Sequence, residues 1–323
     1  MSNINLIRAA AQRLKGNART TPLLSAPLLD RLAGRRILVK AECLQWTGSF
    51  KYRGAWAAVS VLGPNTRSRG VLAYSSGNHG QGVALAARQH GVPAVVLMPA
   101  DAPAVKIENT RAYGAEVILY DRATEDRDAI GTALAMDRKL TLIKPFDDAE
   151  VIAGQGSIGL EIASQAKVLG IREAMVLTCC GGGGMTAGIA LALEAEASGF
   201  SVRPVEPQGF DDTARSLAAG EILRNSRLSG SLCDAIVTPQ PGALTFPILK
   251  RLCRGGLVVS DDEALHALAL AFAHLRIVLE PGGAVALAAA LFRKELPQTL
   301  IVVASGGNVD PAVFQMALKL HAV

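Results

Sequence analysis

The sequence predicts an α/β fold with parallel sheets flanked by helices, and three observations lead to that class. Short apolar runs rich in valine and isoleucine alternate with helical patterns along most of the 323 residues. Half of the residues are hydrophobic and 19% are charged, which is typical of a compact globular chain. Its length is enough for two domains. Several apolar runs lead into polar or glycine-rich loops, where parallel sheets bind ligands.

Eight apolar runs predict strands, and helical patterns lie between most of them. The predicted strands span residues 36–40, 70–74, 94–98, 116–120, 140–143, 174–177, 201–205 and 300–303. The clearest helical patterns span residues 81–89, 106–113, 157–169, 185–197 and 261–276. The second to fifth strands make a self-contained block, which indicates a small domain inserted into a larger one built from both chain ends.

The charge pattern argues against a nucleic-acid surface. The net charge is +5, but lysines and arginines are dispersed and aromatic residues make up only 4% of the chain. A nucleic-acid site would need a basic stripe with stacking aromatics, so we expect small anionic ligands and no nucleic-acid partner.

Three further patterns predict a soluble, cytoplasmic protein without a membrane partner. The five cysteines have no CxxC spacing, which favours reduced thiols over a disulfide framework or a zinc site. The first residues lack the basic-then-apolar order of a signal peptide. The longest apolar stretches, such as residues 284–292, are too short to cross a bilayer.

Lys51 is the most informative residue, in the sequence Thr-Gly-Ser-Phe-Lys-Tyr-Arg-Gly. An amine that condenses with an aldehyde must be partly deprotonated, which burial or a cationic neighbour can achieve. Phe50 and Tyr52 can supply an apolar wall, Arg53 can supply a positive charge, and Gly54 stands where a helix would have to continue. The alternative is an ordinary surface lysine on a helix.

A polar loop follows the strand that ends near residue 74, and a helix follows the loop. Its residues are Ser75, Ser76, Gly77, Asn78 and His79. Free backbone N–H groups and the helix dipole at such a junction favour an anion such as a carboxylate. Ordinary N-cap and turn chemistry uses the same residue types, but two serines and an Asn-His pair exceed what one cap needs.

A glycine loop follows the strand at residues 174–177. Its residues are Gly181, Gly182, Gly183, Gly184 and Met185. Glycines let the backbone approach an oxyanion closely, and the following helix offers its positive end to a phosphate. The loop lacks the Gly-Lys-Ser/Thr ending of a P-loop.

The same loop allows a dinucleotide-binding alternative. Gly182, Gly184 and Ala187 satisfy the spacing G-x-G-x-x-A, and Glu206 lies near the end of the next predicted strand. This motif is weak alone, and it leaves Lys51 and the serine-asparagine loop unexplained.

A third loop, Ser305 to Asn308, follows the last predicted strand, and Glu280 begins a further candidate loop, Glu-Pro-Gly-Gly. One ligand has to account for an amine, a carboxylate-type loop, a phosphate-type loop and a polar Ser-Gly-Gly-Asn turn. Pyridoxal phosphate offers an aldehyde, a phosphate and a ring nitrogen, and together with an amino-acid substrate it satisfies all four.

With these motifs the chain resembles the fold-type II pyridoxal-phosphate enzymes, whose fold is like that of the tryptophan synthase β subunit. Within them it resembles the serine/threonine dehydratase and serine racemase family. The stretch around Lys51 is similar to the family's Schiff-base motif, Ser75 to His79 to its substrate-carboxylate loop, and Gly181 to Met185 to its phosphate cradle.

The resemblance covers residues 21–308 and implies a domain division and an oligomer. A small mobile domain would comprise residues 70–146, and a large cofactor-binding domain residues 1–69 together with 147–323. We also expect a homodimer. The few residues after Asn308 leave no room for the regulatory domain of biosynthetic threonine dehydratases.

The resemblance implies roles for four residues around the cofactor. Lys51 would hold it covalently and act as the general base at the substrate Cα, with Phe50 against the ring. Asn78 would hydrogen-bond the ring hydroxyl, and Ser305 would face the ring nitrogen. A serine there makes a moderate electron sink, which suits the loss of a β-hydroxyl better than a long-lived carbanion.

Further roles follow for the substrate and a metal. Ser76 matches the serine that acts on the opposite substrate face in racemases, and Arg127 matches a small-domain arginine near the substrate. Glu206, Asp212 and the Phe210 carbonyl match a divalent-cation site, whose oxygen donors suit Mg²⁺ or Ca²⁺. For Glu206 a solvated loop position is the alternative.

One position departs from the family pattern. Relatives usually carry glycine where this chain has Ala235, and the extra methyl group bears on substrate preference.

The resemblance implies an ammonia-lyase that removes water and then ammonia from a β-hydroxy amino acid. L-Threonine would give 2-oxobutanoate and L-serine would give pyruvate. Alternatives within the family are a serine or hydroxyaspartate racemase or dehydratase. Alternatives outside it are a dinucleotide-binding oxidoreductase and a non-catalytic ligand-binding homologue.

Overall fold

The chain folds around two sheets, and the predicted α/β class with parallel sheets flanked by helices is confirmed. The computed structural model describes residues 2–75, 77–121 and 123–321. The strands are β1 Leu23–Leu24, β2 Arg36–Lys40, β3 Val71–Tyr74, β4 Ala94–Pro99, β5 Glu116–Tyr120, β6 Thr141–Leu142, β7 Ala174–Cys179, β8 Phe200–Pro207, β9 Leu257–Val259 and β10 Thr299–Val303.

Helices precede, connect and follow these strands. They are α1 Ile4–Leu14, α2 Pro27–Ala33, α3 Lys51–Ser60, α4 Pro64–Arg69, α5 Asn78–Gln89, α6 Ala104–Ala112, α7 Arg127–Asp137, α8 Ala149–Val168, α9 Gly184–Glu196, α10 Asp212–Ala219, α11 Thr245–Leu252, α12 Asp261–Leu275, α13 Pro281–Phe292 and α14 Pro311–Leu320. Among the described residues no helix is both long and apolar enough to span a membrane.

The larger sheet has the order β1-β2-β10-β7-β8-β9, and only the β1–β2 pair is antiparallel. Its two central strands, β10 and β7, are mostly apolar and almost entirely buried, because helices cover both faces of the sheet. Helix α13 lies in this core, and most of its residues are buried. The pairing of β2 with β10 joins residues from opposite ends of the chain.

The smaller sheet has the order β5-β4-β3-β6, and all its strands are parallel. All four strands come from the stretch between residues 71 and 142. The domain division at residues 70 and 146 would assign each sheet to one domain, and it stays a proposal.

Helix α3 continues through Gly54, although glycine has a weak helix propensity. The reason is the close crossing of α3 and α8. A Cβ at Gly54 would lie 2.3 Å from Gln155 Nε2, and one at Gly154 would lie 2.6 Å from the Arg53 carbonyl. Glycine at the crossing lets the two backbones approach, and the resulting contact offsets its weak helix propensity.

Helix α8 begins eight residues before the predicted start at residue 157. Asp148 caps it, because the carboxylate accepts hydrogen bonds from the N–H groups of Glu150 and Val151. The glycine-rich first half of α8 hides the helical pattern, although it packs against both α3 and α9.

Candidate active site

One cavity of about 340 Å³ lies where strands of both sheets end. Strand β3 leads to Ser75, β7 to the glycine loop, and β10 to Ser305. Parallel sheets bind ligands at this edge because helix N-termini converge there. The predicted site residues that line it are Phe50, Lys51, Ser75, Gly77, Asn78, His79, Arg127, Gly181, Gly182, Gly183, Gly184, Met185 and Ser305.

Lys51 is the first residue of α3, and its amine faces the cavity. Its Nζ donates a hydrogen bond to the Pro145 carbonyl (2.9 Å) and lies 5.2 Å from the centre of the Phe50 ring. Burial lowers the pKa of the Lys51 amine to about 8, and the Glu280 carboxyl acts in the opposite direction. Much of the amine is therefore neutral near pH 8, as attack on an aldehyde requires.

Arg53 is not the cationic neighbour that the sequence predicts for Lys51. Its buried guanidinium donates to both oxygens of Glu42 (2.8 Å each) and to both oxygens of Glu161 (2.7 and 3.0 Å). Lys40 Nζ donates to the same Glu161 carboxylate (2.6 Å). We call Lys40, Glu42, Arg53 and Glu161 the supporting network. Burial, and not this network, lowers the Lys51 pKa.

The loop before α5 can receive a carboxylate. Asn78 is buried at the start of the helix, whose first N–H groups have no intrahelical acceptor. The Gly77 N–H donates to Ser75 Oγ (3.0 Å), which holds the loop in a tight turn. Ser76, the predicted second acid-base residue, lies outside the described residues.

His79 offers the cavity a neutral ring. Its Nε2 lies 2.8 Å from the Ile143 carbonyl, which can only accept, so this nitrogen carries the hydrogen. Its Nδ1 is buried and has no hydrogen-bond partner within the described part of the chain. Burial, followed by the charge of Lys51, lowers the pKa of His79 to about 3.

Two charged residues without a predicted role, Lys106 and Asp234, also line the cavity, together with Glu280. Lys106 Nζ lies 3.5 Å from Asp234 Oδ2 and 3.9 Å from Glu280 Oε2. Burial raises the pKa of Glu280 to about 7, with Lys106 opposing. A Cβ at Gly77 would lie 3.4 Å from Lys106 Nζ, so the ammonium adjoins the carboxylate loop. We call Lys51, Lys106, Asp234 and Glu280 the pocket cluster.

The glycine loop between β7 and α9 forms a cradle that side chains cannot enter. Gly183 has a φ of 89°, in the left-handed region that favours glycine. A Cβ at Gly182 would lie 2.3 Å from the Phe146 ring, and one at Gly181 would lie 3.0 Å from the Ile236 carbonyl. Helix α9 adds free N–H groups and the positive end of its dipole. The cradle therefore fits a phosphate group.

The turn after β10 is attached to the loop that precedes Lys51. The Phe50 N–H donates to the Ser305 carbonyl (3.1 Å), and the Gly307 N–H donates to the Gly48 carbonyl (2.9 Å). These bonds place the buried Ser305 at the cavity, in the same wall as Phe50. A hydroxyl group is thus available to a ring nitrogen.

Comparison with known proteins decides the family. A family model described as "Pyridoxal-phosphate dependent enzyme" matches residues 14–307. The chain belongs to this family. The resemblance predicted from the motifs and the predicted cofactor are therefore confirmed.

Relatives of this pyridoxal-phosphate dependent enzyme carry several activities. The chain is 39% identical to an L-threo-3-hydroxyaspartate ammonia-lyase of Pseudomonas sp., with 99% of each chain covered. It is 37% identical to a serine racemase of Dictyostelium discoideum, with 94% of each covered. A solved T.th. threonine deaminase is 45% identical with a TM-score of 0.90, over 95% of this chain and 99% of that one.

Two positions of this pyridoxal-phosphate dependent enzyme for which the sequence predicts a bearing on the substrate lie at the rim of the cavity. Arg127, at the start of α7, is exposed, and its guanidinium carbon lies 5.6 Å from the centre of the Tyr74 ring. Ala235 lines the cavity, and a Cβ at Gly282 would lie 3.4 Å from its methyl group. The extra methyl therefore narrows the cavity beside Glu280 and Asp234.

The predicted metal residues lie outside the cavity. Glu206 is buried at the end of β8, so the solvated-loop alternative is wrong. Burial, followed by the Asp212 charge, raises the pKa of Glu206 well above its usual range, and burial raises the pKa of Asp212 to about 7. Phe210, two residues before Asp212 in the sequence, is also buried. The described residues contain no group of three or more His, Cys, Asp and Glu that could hold a metal.

The dinucleotide alternative fails at Glu206. Its carboxylate accepts hydrogen bonds from the N–H groups of Thr213 (2.9 Å) and Ala214 (2.7 Å), at the start of α10. A carboxylate used in this way does not face a ribose beside the glycine loop. The match to the pyridoxal-phosphate family leaves this alternative without support.

Proposed function

We propose that this protein is an ammonia-lyase that removes water and then ammonia from a β-hydroxy amino acid. L-Threonine would give 2-oxobutanoate, and L-serine would give pyruvate. The observation that carries the proposal is the Lys51 amine, with a pKa of about 8, in one cavity with the anion-binding start of α5. The names of the similar proteins, which refer to threonine, serine and hydroxyaspartate, support the substrate class.

The residues present fit the cofactor at five points. The glycine cradle would hold the phosphate, Lys51 the aldehyde carbon and Ser305 the ring nitrogen, with Phe50 beside the ring and Asn78 near the ring hydroxyl. When bound, the cofactor supplies an electron-withdrawing system that acidifies the Cα of an attached amino acid. The Ser305 hydroxyl cannot balance a positive ring charge as a carboxylate would, which favours elimination of a β-substituent.

The chain's own residues would bind and orient the substrate. Its carboxylate would rest on the N–H groups at the start of α5, beside Ser75 and Gly77, with the Lys106 ammonium nearby. Lys51 would take the proton from Cα. The proposed small domain, residues 70–146, would close over the cavity and exclude water, since it carries the carboxylate loop while Lys51 lies outside it.

The test is a spectrum followed by a product assay. The purified protein with pyridoxal phosphate should show a visible absorbance band, lost on borohydride reduction as label is trapped on Lys51, and should form 2-oxobutanoate from L-threonine. Lys51→Ala should abolish band and product, whereas Lys15→Ala, on the exposed surface, should retain both. A wild-type protein that makes no 2-oxo acid from L-threonine, L-serine or hydroxyaspartate would overturn the proposal.

A racemase is the second candidate, because a serine racemase is among the similar proteins. Ser76 would then exchange a proton on the substrate face opposite Lys51. Ser76→Ala should abolish racemisation of L-serine and largely spare its elimination, measured by chiral chromatography and by pyruvate. Equal loss of both activities would assign Ser76 to carboxylate binding or packing.

A divalent cation, Mg²⁺ or Ca²⁺, remains a proposal for Glu206, Asp212 and the Phe210 carbonyl. Two buried carboxyl groups with raised pKa values support it, and Asp212 Oδ2 has no hydrogen-bond partner among the residues described. Chelator should lower the melting temperature of the wild type by mass action, and Asp212→Asn should remove that response. An equal response in both proteins would place any metal elsewhere.

We also propose a cytoplasmic location and a homodimer. The five cysteines are free thiols, which supports a reducing compartment. Sedimentation velocity of the purified protein would test the dimer, and fractionation of cells would test the location.

A further inference from the structure

Asn308, the last residue of the turn after β10, connects three parts of the site through its side-chain amide. Its Nδ2 donates to the Thr47 carbonyl (2.8 Å) and to Asn78 Oδ1 (2.8 Å). Thr47 belongs to the loop that precedes Lys51, and Asn78 begins α5. Both hydrogens of one amide are thus used, one by the loop that precedes Lys51 and one by the start of α5.

The backbone around Asn308 is fixed independently of its side chain. The Glu280 N–H donates to the Gly306 carbonyl (3.0 Å), and the Gly307 N–H donates to the Gly48 carbonyl (2.9 Å). A Cβ at Gly48 would lie 2.5 Å from Asn308 Oδ1, so glycine there makes room for the amide. The Asn308 side chain therefore packs closely against Gly48.

Thr47 gives this amide its direction. A backbone carbonyl can only accept a hydrogen bond, so the NH₂ end of Asn308, and not its oxygen, must face Thr47. The same NH₂ end faces Asn78, which must therefore present its oxygen. Oxygen and nitrogen of an isolated asparagine amide are interchangeable in shape, and here the chain of bonds removes the ambiguity.

Because Asn78 presents its oxygen to Asn308, the NH₂ group of Asn78 faces away from Asn308. Asn78 Nδ2 donates to Glu280 Oε1 (2.5 Å) and lies at the cavity, where the ring hydroxyl of the cofactor is proposed to sit. We propose that Asn308 is a positioning residue that keeps Asn78 turned as a hydrogen-bond donor towards the cofactor ring. This inference rests on the proposed placement of the cofactor and is independent of which amino acid is eliminated.

The role predicts a spectroscopic change. Asn308→Asp places a carboxylate that only accepts where the NH₂ donated. Asn78 would turn its NH₂ towards the new carboxylate and its oxygen towards the ring, so an ionised ring oxygen would lose its donor. The midpoint pH at which the visible band of bound pyridoxal phosphate changes should rise by about one unit, a tenfold change in proton affinity from the loss of one buried hydrogen bond.

A double-mutant cycle separates positioning from support of the Thr47 loop. In an Asn78→Ala background, Asn308→Asp should shift the midpoint no further, because the residue acts through Asn78. An equal shift in both backgrounds would overturn the inference. Asn65→Asp, on the exposed surface of α4, controls for the added negative charge and should leave the midpoint unchanged.

If Asn308→Asp does not unfold cooperatively, Asn308→Ser replaces it in the same cycle. A serine hydroxyl has one hydrogen and cannot donate to both acceptors, so a smaller rise is expected that again disappears in the Asn78→Ala background. A rise that persists there counts against the inference. Failure of the lyase proposal looks different, because the wild type would then show the band and its titration without forming a 2-oxo acid.

Discussion

The supporting network and the pocket cluster each contain two cations and two carboxyl groups. Arg53 of the network and Lys51 of the cluster are only two residues apart in the sequence. In the supporting network the ion pairs are 2.6 to 2.8 Å long, and Thr21, Ser157 and Gln165 add further hydrogen bonds. In the pocket cluster the ion pairs are 3.5 and 3.9 Å long. Glu280 Oε2 has no hydrogen-bond partner within the described ranges.

This difference in ion-pair length indicates a structural role for the supporting network and a chemical role for the pocket cluster. The protein itself satisfies the supporting network, which holds the start of α3 against β2 and α8. It leaves the pocket cluster with an amine and a carboxyl group whose pKa values burial moves to about 8 and about 7. Groups that titrate near neutral pH in a cavity are typical of sites that bind and react. Four experiments test this contrast.

The largest effect should come from breaking the supporting network. Arg53→Met would leave Glu42 and Glu161 buried without their main partner, and the free energy of unfolding should fall by about 3–5 kcal/mol. Urea denaturation measures this. Arg138→Met, which removes an exposed ion pair with Glu116, should cost less than about 1 kcal/mol. Similar small losses in both variants would contradict the assigned role.

The pH dependence of stability should separate the clusters next. The pKa of Glu280 is raised in the folded state, so the folded protein holds this proton more tightly than the unfolded chain does. The contribution is fully present below pH 4.5 and is lost as the pH rises to about 7, at a cost of about 3 kcal/mol. Glu280→Gln should remove this slope, so wild type and variant should differ most at pH 8. If the stability curves of wild type and Glu280→Gln are parallel between pH 5 and 8, the raised pKa of Glu280 does not contribute to stability.

The third experiment concerns substrate binding by the pocket cluster. Lys106→Met removes the ammonium beside Gly77, so KM for L-threonine should rise about 10–30-fold, which corresponds to one charge-assisted hydrogen bond. Stability should change little because the Lys106 ion pairs are long. Lys106→Arg keeps the charge and should recover part of the affinity. A large fall in melting temperature with unchanged KM would instead make Lys106 a structural residue.

The smallest expected effect is the pH dependence of cofactor capture. With a pKa of about 8, the neutral fraction of Lys51 rises about tenfold between pH 7 and 9, whereas an ordinary lysine would gain about a hundredfold. The rate of covalent binding of pyridoxal phosphate to the apoprotein, followed by stopped-flow absorbance, should show the tenfold rise. A hundredfold rise would mean that burial does not lower this pKa.

Eight of the ten described strands, and the loops after them, could be predicted from local sequence, because buried parallel strands are continuous apolar runs and glycine clusters mark close backbone approach. The short strands β1 and β9 were not predicted, because two or three residues are too few to form such a run. The continuation of α3 through Gly54 could not be predicted, since it depends on a crossing with α8, about a hundred residues away in the chain. The burial of Glu206 likewise depends on α10 folding back over the end of β8.

The site was predictable where a motif carries its own chemistry, as at Lys51 and the glycine loop. Lys106 has no such signal, because an isolated lysine in a helical pattern looks like a solvated one. Only the packing of α6 against α5 brings it to Gly77. The expected contribution of Arg53 was wrong because adjacency in sequence does not place two side chains on the same side of a helix.

The attachment of the Lys51 loop to the turn at Ser305 has a consequence for biosynthesis. Strands β3 to β6 are contiguous in sequence and can pair while the ribosome is still making the rest of the chain. Strand β2 cannot pair with β10, and Ser49 cannot pair with Gly306, until the later partner has been made. More than 250 residues of chain separate the two partners in each case. A nascent chain can thus complete the sheet beside the proposed carboxylate loop before β10 brings the Lys51 loop to its place, and the proposed partners of pyridoxal phosphate come together only once β10 has been made.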